Sequence, residues 1–305
     1  MLFVQNEFAP LQKVVVGIAD SSGPVPAAED CYDPKSRLHV NEDTYPREDD
    51  LIQEIEGFVK VLSDNGVEVI RPSLLENTNQ IFTRDIGFVI DDKFVITNMI
   101  AERSVEIQGL KDFLDSLPPE NILRMPEGAY LEGGDIMPHG DVIFIGCSDD
   151  ANFDKYKVAR TNYAGVEFVK NTFPEYEVIA FELHKSDEDP YTNALHLDCC
   201  FQVLGQGHCL IHREGFLHES DVDSIVERFG EDNCIWITAQ EMYDMGANVV
   251  SIAPNKVIAE RSLTRINEEI RKRGYEVIQI KYSETAKMEG LLRCSTLPIK
   301  RNRLS

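Results

Sequence analysis

Apolar residues along this chain come in short runs followed by longer amphipathic stretches, and that order repeats. Gly87-Phe88-Val89-Ile90 and Lys93-Phe94-Val95-Ile96-Thr97 flank an Asp91-Asp92 turn, the pattern of a hairpin. A helical spacing through Leu110, Phe113, Leu114 and Leu117 follows and stops before Pro118-Pro119. A second unit opens at Gly134 to Gly146, carries a helix through Val166, Val169 and Phe173, and returns in a strand from Val178 to Phe181. The third pairs Phe201–Leu204 with Cys209–His212. It lines Val222, Ile225, Val226 and Phe229 along one helix face, stops at Gly230, and closes in Ile235–Ile237. The fourth runs from Asn248 to Ile258, through a helix carrying Leu263, Ile266 and Ile270, past Gly274 to Val277–Ile280.

The fifth unit is split. Its helix, Asp50 to Asp64, has Leu51, Ile52, Ile55, Phe58, Val59 and Leu62 on one face and Gly66 just beyond. Val67–Ile70 is its returning strand. Its hairpin requires Lys13–Ile18 from one end of the chain and Cys294–Ile299 from the other. A single such unit leaves an apolar face bare, and stacked neighbours bury it. Five units, one made from both chain ends, therefore predict an α/β fold closed as a five-bladed propeller, which leaves no open sheet edge. An ordinary α/β sandwich accommodates the same elements, and their order alone does not choose. No linker or low-complexity tract divides the chain, so one domain over residues 1–305 is expected.

Composition narrows the partners. The chain has 305 residues, 43% hydrophobic and 27% charged, enough for a sizeable core. No apolar run approaches the roughly 18 residues of a membrane span, and Met1–Glu7 lacks the pattern of a secretory signal. Lys and Arg number 30 against 53 Asp and Glu, a net charge of -23. Such a field disfavours nucleic acid and anionic membranes and favours a small cationic substrate; it also serves plain solubility. Seven cysteines without framework spacing read as free thiols in a reducing cytoplasm. Oligomeric state stays open, a homo-oligomer included.

The chemistry lies where each unit begins. Those positions hold Asp85, Glu132, His196 with Asp198, Asn248 and Cys294, at intervals of 47, 64, 52 and 46 residues. In a ring of hairpins, equivalent positions converge on one end of the axis. That gathers three carboxylates, one imidazole and one thiol. A thiol beside an imidazole provides a nucleophile and a proton shuttle. Inward-facing carboxylates are costly unless a cation lies between them, and a guanidinium offers five N–H donors to such acceptors. Taken singly each residue has an ordinary role: Asp85 in a turn, Glu132 beside the Gly133-Gly134 bend, His196 in a core, Cys294 as a small buried hydrophobe. Their joint recurrence is the signal.

Two rivals have a sequence basis. His196, Cys199, Cys200, His208, Cys209, His212 and His218 crowd together, as zinc ligands do. Adjacent Cys199-Cys200 and His208-Cys209 would point to opposite faces of a strand, however, and no Cys-x-x-Cys spacing occurs. A non-enzymatic propeller serving as an interaction platform is the other; it has no use for a thiol at a pocket end.

Four segments in this order resemble the guanidino-modifying (pentein) superfamily of arginine deiminases, dimethylarginine dimethylaminohydrolases and amidinotransferases. They are Phe82-Thr83-Arg84-Asp85, Leu131-Glu132-Gly133-Gly134-Asp135, His196-Leu197-Asp198, and Gly290-Leu291-Leu292-Arg293-Cys294-Ser295-Thr296-Leu297-Pro298. The likeness spans nearly the whole chain, and the family fold is a five-bladed αβ propeller. The resemblance implies Cys294 as nucleophile and His196 as general acid and base. It implies Glu132, Asp198 and Asp85 around the guanidinium, with Asn79, Arg103 and Arg160 at the substrate carboxylate, and neither metal nor cofactor. Transferases of the superfamily tend to carry His before the nucleophile. Here the residue is Arg293, as in deiminases, where it is grouped with the substrate-binding set. Hydrolysis of arginine or a derivative to citrulline and ammonia is thus expected first. Amidino transfer from arginine to an amine is the alternative, supported by the opening segment Asn6–Gly17 and by Thr161–Glu167.

Overall fold

The computed structural model describes residues 1–304 and contains five three-stranded sheets. Strands β1 (Leu11–Val16) and β2 (Glu68–Ile70) belong to the first sheet. The second holds β3 (Gly87–Ile90), β4 (Lys93–Ile96) and β5 (Ile122–Arg124). The third holds β6 (Ile136–His139), β7 (Val142–Cys147) and β8 (Glu177–Glu182). The fourth holds β9 (Phe201–Val203), β10 (Cys209–Ile211) and β11 (Cys234–Trp236). The fifth holds β12 (Val250–Ala253), β13 (Lys256–Glu260) and β14 (Glu276–Ile280). The last strand, β15 (Thr296–Arg301), returns to the first sheet.

Every sheet repeats one plan: an antiparallel pair, then a parallel third strand. In the first sheet the antiparallel pair is β1 with β15, in register Val14↔Pro298 and Val16↔Thr296. The split unit is therefore built from both chain ends, as its pattern requires.

A parallel third strand needs a crossover, and four of the five crossovers contain an amphipathic α-helix of nine residues or more. Glu48–Asp64 buries Leu51, Ile55, Phe58 and Leu62; Tyr163–Thr172 buries Val166 and Val169; Glu219–Phe229 buries Val222, Ile225 and Phe229; Thr264–Lys272 buries Ile266 and Ile270. Gly66, Gly230 and Gly274 follow three of them at φ of +78°, +86° and +87°, the left-handed conformation that ends helices. The second sheet departs from the pattern. Its crossover is a ten-residue 3-10 stretch, Ala101–Leu110, before a short helix, Lys111–Asp115. The 3-10 stretch carries Arg103 and Glu106 buried where a regular amphipathic helix would carry apolar groups. The helix Pro34–Asn41, with Asp33 capping its first turn, has no apolar stripe to announce it.

One group of buried charges surrounds Glu7. Glu7, 3% exposed, accepts from Arg293 Nη2 at 3.0 Å and Nε at 3.3 Å, and Arg84 Nη1 lies 3.5 Å away. Burial alone would raise the Glu7 pKa, but Arg293, Arg84 and Arg301 hold it down to about 2. Its carboxylate therefore stabilises the fold above the ordinary value of 4.5, and that contribution is lost as pH falls through about 2. Replacing Glu7 by Gln should cost roughly 3–5 kcal/mol at neutral pH, the usual effect of stranding a buried partner. It should also flatten the acid limb of stability below pH ~4.5. Urea denaturation across pH 2–7 measures both; an unchanged acid limb would dismiss Glu7 as its source.

Candidate active site

The polar residues that open the units occupy one structural position. Asp85 sits in the 3-10 turn Thr83–Ile86 before β3, and Glu132 precedes the turn Gly133–Asp135 before β6. His196 precedes the helical turn Leu197–Cys200 before β9. Asn248 and Cys294 lie just ahead of β12 and β15. The turns pack face to face, and two glycines make this feasible. A Cβ on Gly133 would meet the Arg84 carbonyl at 2.0 Å, and one on Gly134 would meet the His196 ring at 2.7 Å.

His196 is clamped between acids. Its Nε2 lies 2.8 Å from Glu132 Oε2 and its Nδ1 3.8 Å from Asp85 Oδ1. Each acid is held in turn by an arginine. Arg103 Nη1 donates to Asp85 Oδ2 at 2.6 Å, and Arg160 Nη1 to Glu132 Oε2 at 3.1 Å. Arg103 also forks onto Glu106 at 2.7 and 2.8 Å. Gly134 N–H donates to Asp85 Oδ1 at 3.1 Å, which ties the second and third turns together. Burial disfavours the imidazolium, but Asp85, Glu132 and Asp135 outweigh it and raise the His196 pKa above 6.5. Burial would raise Glu132; Arg160, His196 and Arg103 instead hold it below the usual carboxylate range. The surroundings of the pair thus favour the imidazolium form of the ring and the charged form of the acid.

The thiol has its own surroundings. Asn248 Nδ2 donates to Cys294 Sγ at 3.1 Å, while its Oδ1 accepts from the backbone N–H groups of Arg293 and Cys294 at 2.9 and 3.1 Å. One amide side chain thus sets both the loop and the sulfur. The thiol donates to Asp198 Oδ2 at 3.6 Å. Burial, then the charges of Asp198 and Asp85, push Cys294 well above the usual thiol range. A cation seated against those carboxylates would reverse that push and favour the thiolate.

Cys294 and His196 share the wall of a cavity of about 370 Å³ with Asp85, Asn79, Arg103 and Arg160. Residues 22–48 cover it and supply almost half of its lining. Not every expected residue reaches this wall. Glu132 and Asp198 stand one layer behind it, spent on His196 and on Arg293. Arg293, expected at the substrate, lies behind Cys294. Its donors go to Glu7, Asp198 and the carbonyls of Gly134 and Ile136, and it is 1% exposed. Sequence reasoning placed Asn248 among the converging residues but assigned it no role at the sulfur. The signal was its position at the start of a unit. Asp135 was missed as a support: its carboxylate accepts from Leu197 N–H at 2.8 Å and from Thr161 Oγ1 at 2.6 Å, next to His196 and Arg160.

Residues 30–301 match the family described as N,N dimethylarginine dimethylhydrolase, eukaryotic. The chain belongs to this family of guanidino-modifying enzymes. The likeness extends to Uncharacterized protein YkgA of Bacillus subtilis (strain 168), 30% identical over 80% of this chain and 78% of the relative. An N(G),N(G)-dimethylarginine dimethylaminohydrolase of Streptomyces coelicolor is 23% identical over 82% of this chain and 86% of that protein. Among solved structures, the amidinotransferase SxtG of Microseira wollei shares the fold, with a TM-score of 0.77 at 18% identity, covering 99% of this chain and 98% of that one.

Donor chemistry bears on whether this site also suits a metal. Asp85, Glu132 and His196 bring one ligand atom each within 4.8 Å, the one such three-ligand group among the described residues. Both carboxylates already hold an arginine, so a divalent ion there would face two guanidinium groups. The expected His–Cys crowd disperses: His208 bonds Tyr275, His212 the Ile237 carbonyl, and His218 Glu182. No helix among the described residues is long and apolar enough to cross a membrane.

Two outcomes follow for this site. Gly134→Ala should displace the His196 ring and lower turnover by roughly a hundredfold or more, as small misplacements of catalytic groups do. Circular dichroism checks that the fold survives; wild-type turnover would show that the ring has room. Glu132→Gln removes a charge that favours the imidazolium, so the His196 pKa should fall. The alkaline limb of kcat/KM should then move to lower pH. A shift to higher pH, or none, would show that Glu132 does not set the proton.

Proposed function

We propose that this protein hydrolyses a guanidino substrate of the arginine class, arginine or an N-methylated arginine, through a covalent intermediate on Cys294. One observation carries the reading: the Cys294 thiol and the His196 imidazole share one cavity wall, with the carboxylates of Asp85 and Asp198 near the sulfur. Anionic surroundings make a poor place to form a thiolate unless the substrate itself brings positive charge. A guanidinium does so, and can present its planar N–H groups to Asp85, which lines the cavity, while Asp198 adds its charge from behind the wall.

In this reading Sγ, its proton passed to a carboxylate or to solvent, adds to the central guanidinium carbon. The carbon–nitrogen bond to the departing nitrogen breaks as His196 delivers a proton to it, releasing ammonia or a methylamine. The product is an S-alkylthiouronium on Cys294. His196, now neutral, takes a proton from water as that water adds to the same carbon. The carbon–sulfur bond then breaks as the new hydroxyl releases its proton to solvent, leaving citrulline and the free thiolate. Asn248 donates to the sulfur when it is negative at either end of the cycle. Arg103, Arg160 and Asn79 line the same cavity, and this reading assigns them to a substrate carboxylate. Five sheets of one plan, the first joining both chain ends, support a five-bladed propeller and a single catalytic domain over the chain.

Cys294→Ser should cut turnover at least about a thousandfold. Arginine, its N-methylated forms and agmatine should each be assayed alone and with an added amine. Citrulline formed without an acceptor supports hydrolysis. Ornithine that appears only when an acceptor amine is present would make the enzyme an amidinotransferase and overturn the proposal.

A further inference from the structure

Acids clamp the His196 ring, but other groups hold the backbone that carries it. Lys185 follows β8, is 6% exposed, and donates Nζ to the carbonyls of Ala194 and Leu195 at 2.7 and 2.8 Å. These are the two residues before His196. On the other side, Asp135 accepts from the N–H of Leu197, the residue after it, at 2.8 Å. An ammonium and a carboxylate thus grip the peptide units on either side of His196. The chain at Lys185 is itself fixed beside this segment. Ala194 N–H donates to the His184 carbonyl, and His184 N–H to the Gly215 carbonyl, each at 2.9 Å.

A buried lysine needs a reason, because taking an ammonium out of water is costly. Burial pulls the Lys185 pKa below 10.5, and the charge of Asp135 offsets part of that pull. Lys185 does not line the cavity of Cys294. What it reaches is the main chain of a residue whose ring has little room. His196 Nε2 lies 2.8 Å from Glu132, and the ring stands where a Cβ on Gly134 would meet it at 2.7 Å. Charge-assisted hydrogen bonds are roughly twice as strong as neutral ones. Two of them from one ammonium fix the direction in which the chain enters His196.

We propose that Lys185 is a positioning residue: by holding the Ala194 and Leu195 carbonyls it aims the His196 ring at Glu132 and the cavity, and the proton transfers assigned to His196 depend on it. The proton transfers rest on the hydrolase reading; the placement of the ring does not. The charged groups around the ring are Asp85 from the turn before β3, and Glu132 and Asp135 from the turn before β6. Arg103 and Arg160 stand behind the first two. A ring that drifts from Glu132 loses a contact that favours its imidazolium form.

NMR titration of histidine-labelled protein reads the ring without substrate, the His196 signal being the one missing from His196→Asn protein. In Lys185→Met, which keeps a long side chain without the charge, the His196 pKa should fall. With a guanidino substrate, kcat should drop roughly a hundredfold, as small misplacements of catalytic groups cause. KM should stay within about threefold, because Lys185 is away from the cavity. An unmoved His196 pKa would overturn the proposal whatever happens to turnover, and so would a loss carried by KM. If Lys185→Met does not fold, the same titration on Lys185→Gln decides. The Gln amide nitrogen stops one bond short of the ammonium position, so the pKa should again fall, and an unmoved value sinks the idea. If the pKa falls as expected while the unsubstituted enzyme hydrolyses none of the guanidino compounds, the positioning role stands and the hydrolase reading falls.

Discussion

A guanidinium cannot be buried with idle donors, because each unmatched N–H forfeits the hydrogen bond it had in water. Arg293 therefore organises the middle of this molecule. Its donors join Glu7 of the opening segment, Asp198 in the turn before β9, and the carbonyls of Gly134 and Ile136 at the start of β6. The residue next in sequence is Cys294. The position of the sulfur is thus set by the requirement that its neighbour be satisfied by three separate parts of the chain. Arg84 and Arg301 crowd the same region, and burial pulls both down to about 10. A protein of net charge -23 keeps a cluster of cations at its centre.

Around that centre, charges alternate: Arg103, Asp85, His196, Glu132, Arg160. Each acid faces a cation on either side. This changes what the carboxylates do. Glu132 and Asp198 lie behind the wall, where they set the charge of the imidazole and anchor Arg293. Asp85 does both jobs, touching the cavity while fixing the turn of Gly134.

The five-unit plan was legible because apolar periodicity survives any choice of surface residues. Val222, Ile225, Val226 and Phe229 announce a helix whatever surrounds them. The convergence of Asp85, Glu132, His196, Asn248 and Cys294 was legible from spacing, since equivalent positions in a repeat must be equivalent in space. What spacing cannot carry is direction. Arg293 sits beside Cys294 in sequence and yet points away from the cavity, because only its partners decide which way it faces. The 3-10 crossover at Ala101–Leu110 was hidden for a related reason: Arg103 and Glu106 occupy buried positions as a matched pair, and polar residues do not register as core. The helix Pro34–Asn41 was invisible because its buried residues are Pro34, Lys35 and Ser36.

The cavity draws its chemistry from turns scattered along the chain and almost half of its lining from one contiguous stretch, residues 22–48. Arg160 grips that stretch through the backbone carbonyl of Tyr32, which any side chain at the position would leave in place. Val25, at 59% exposure, and its neighbours Pro24 and Pro26 can therefore vary without stranding a buried charge, and surface changes of that kind cost little stability. Substitutions at such exposed positions would reshape the cavity's mouth while the turns that carry Asp85, His196 and Cys294 stay where they are.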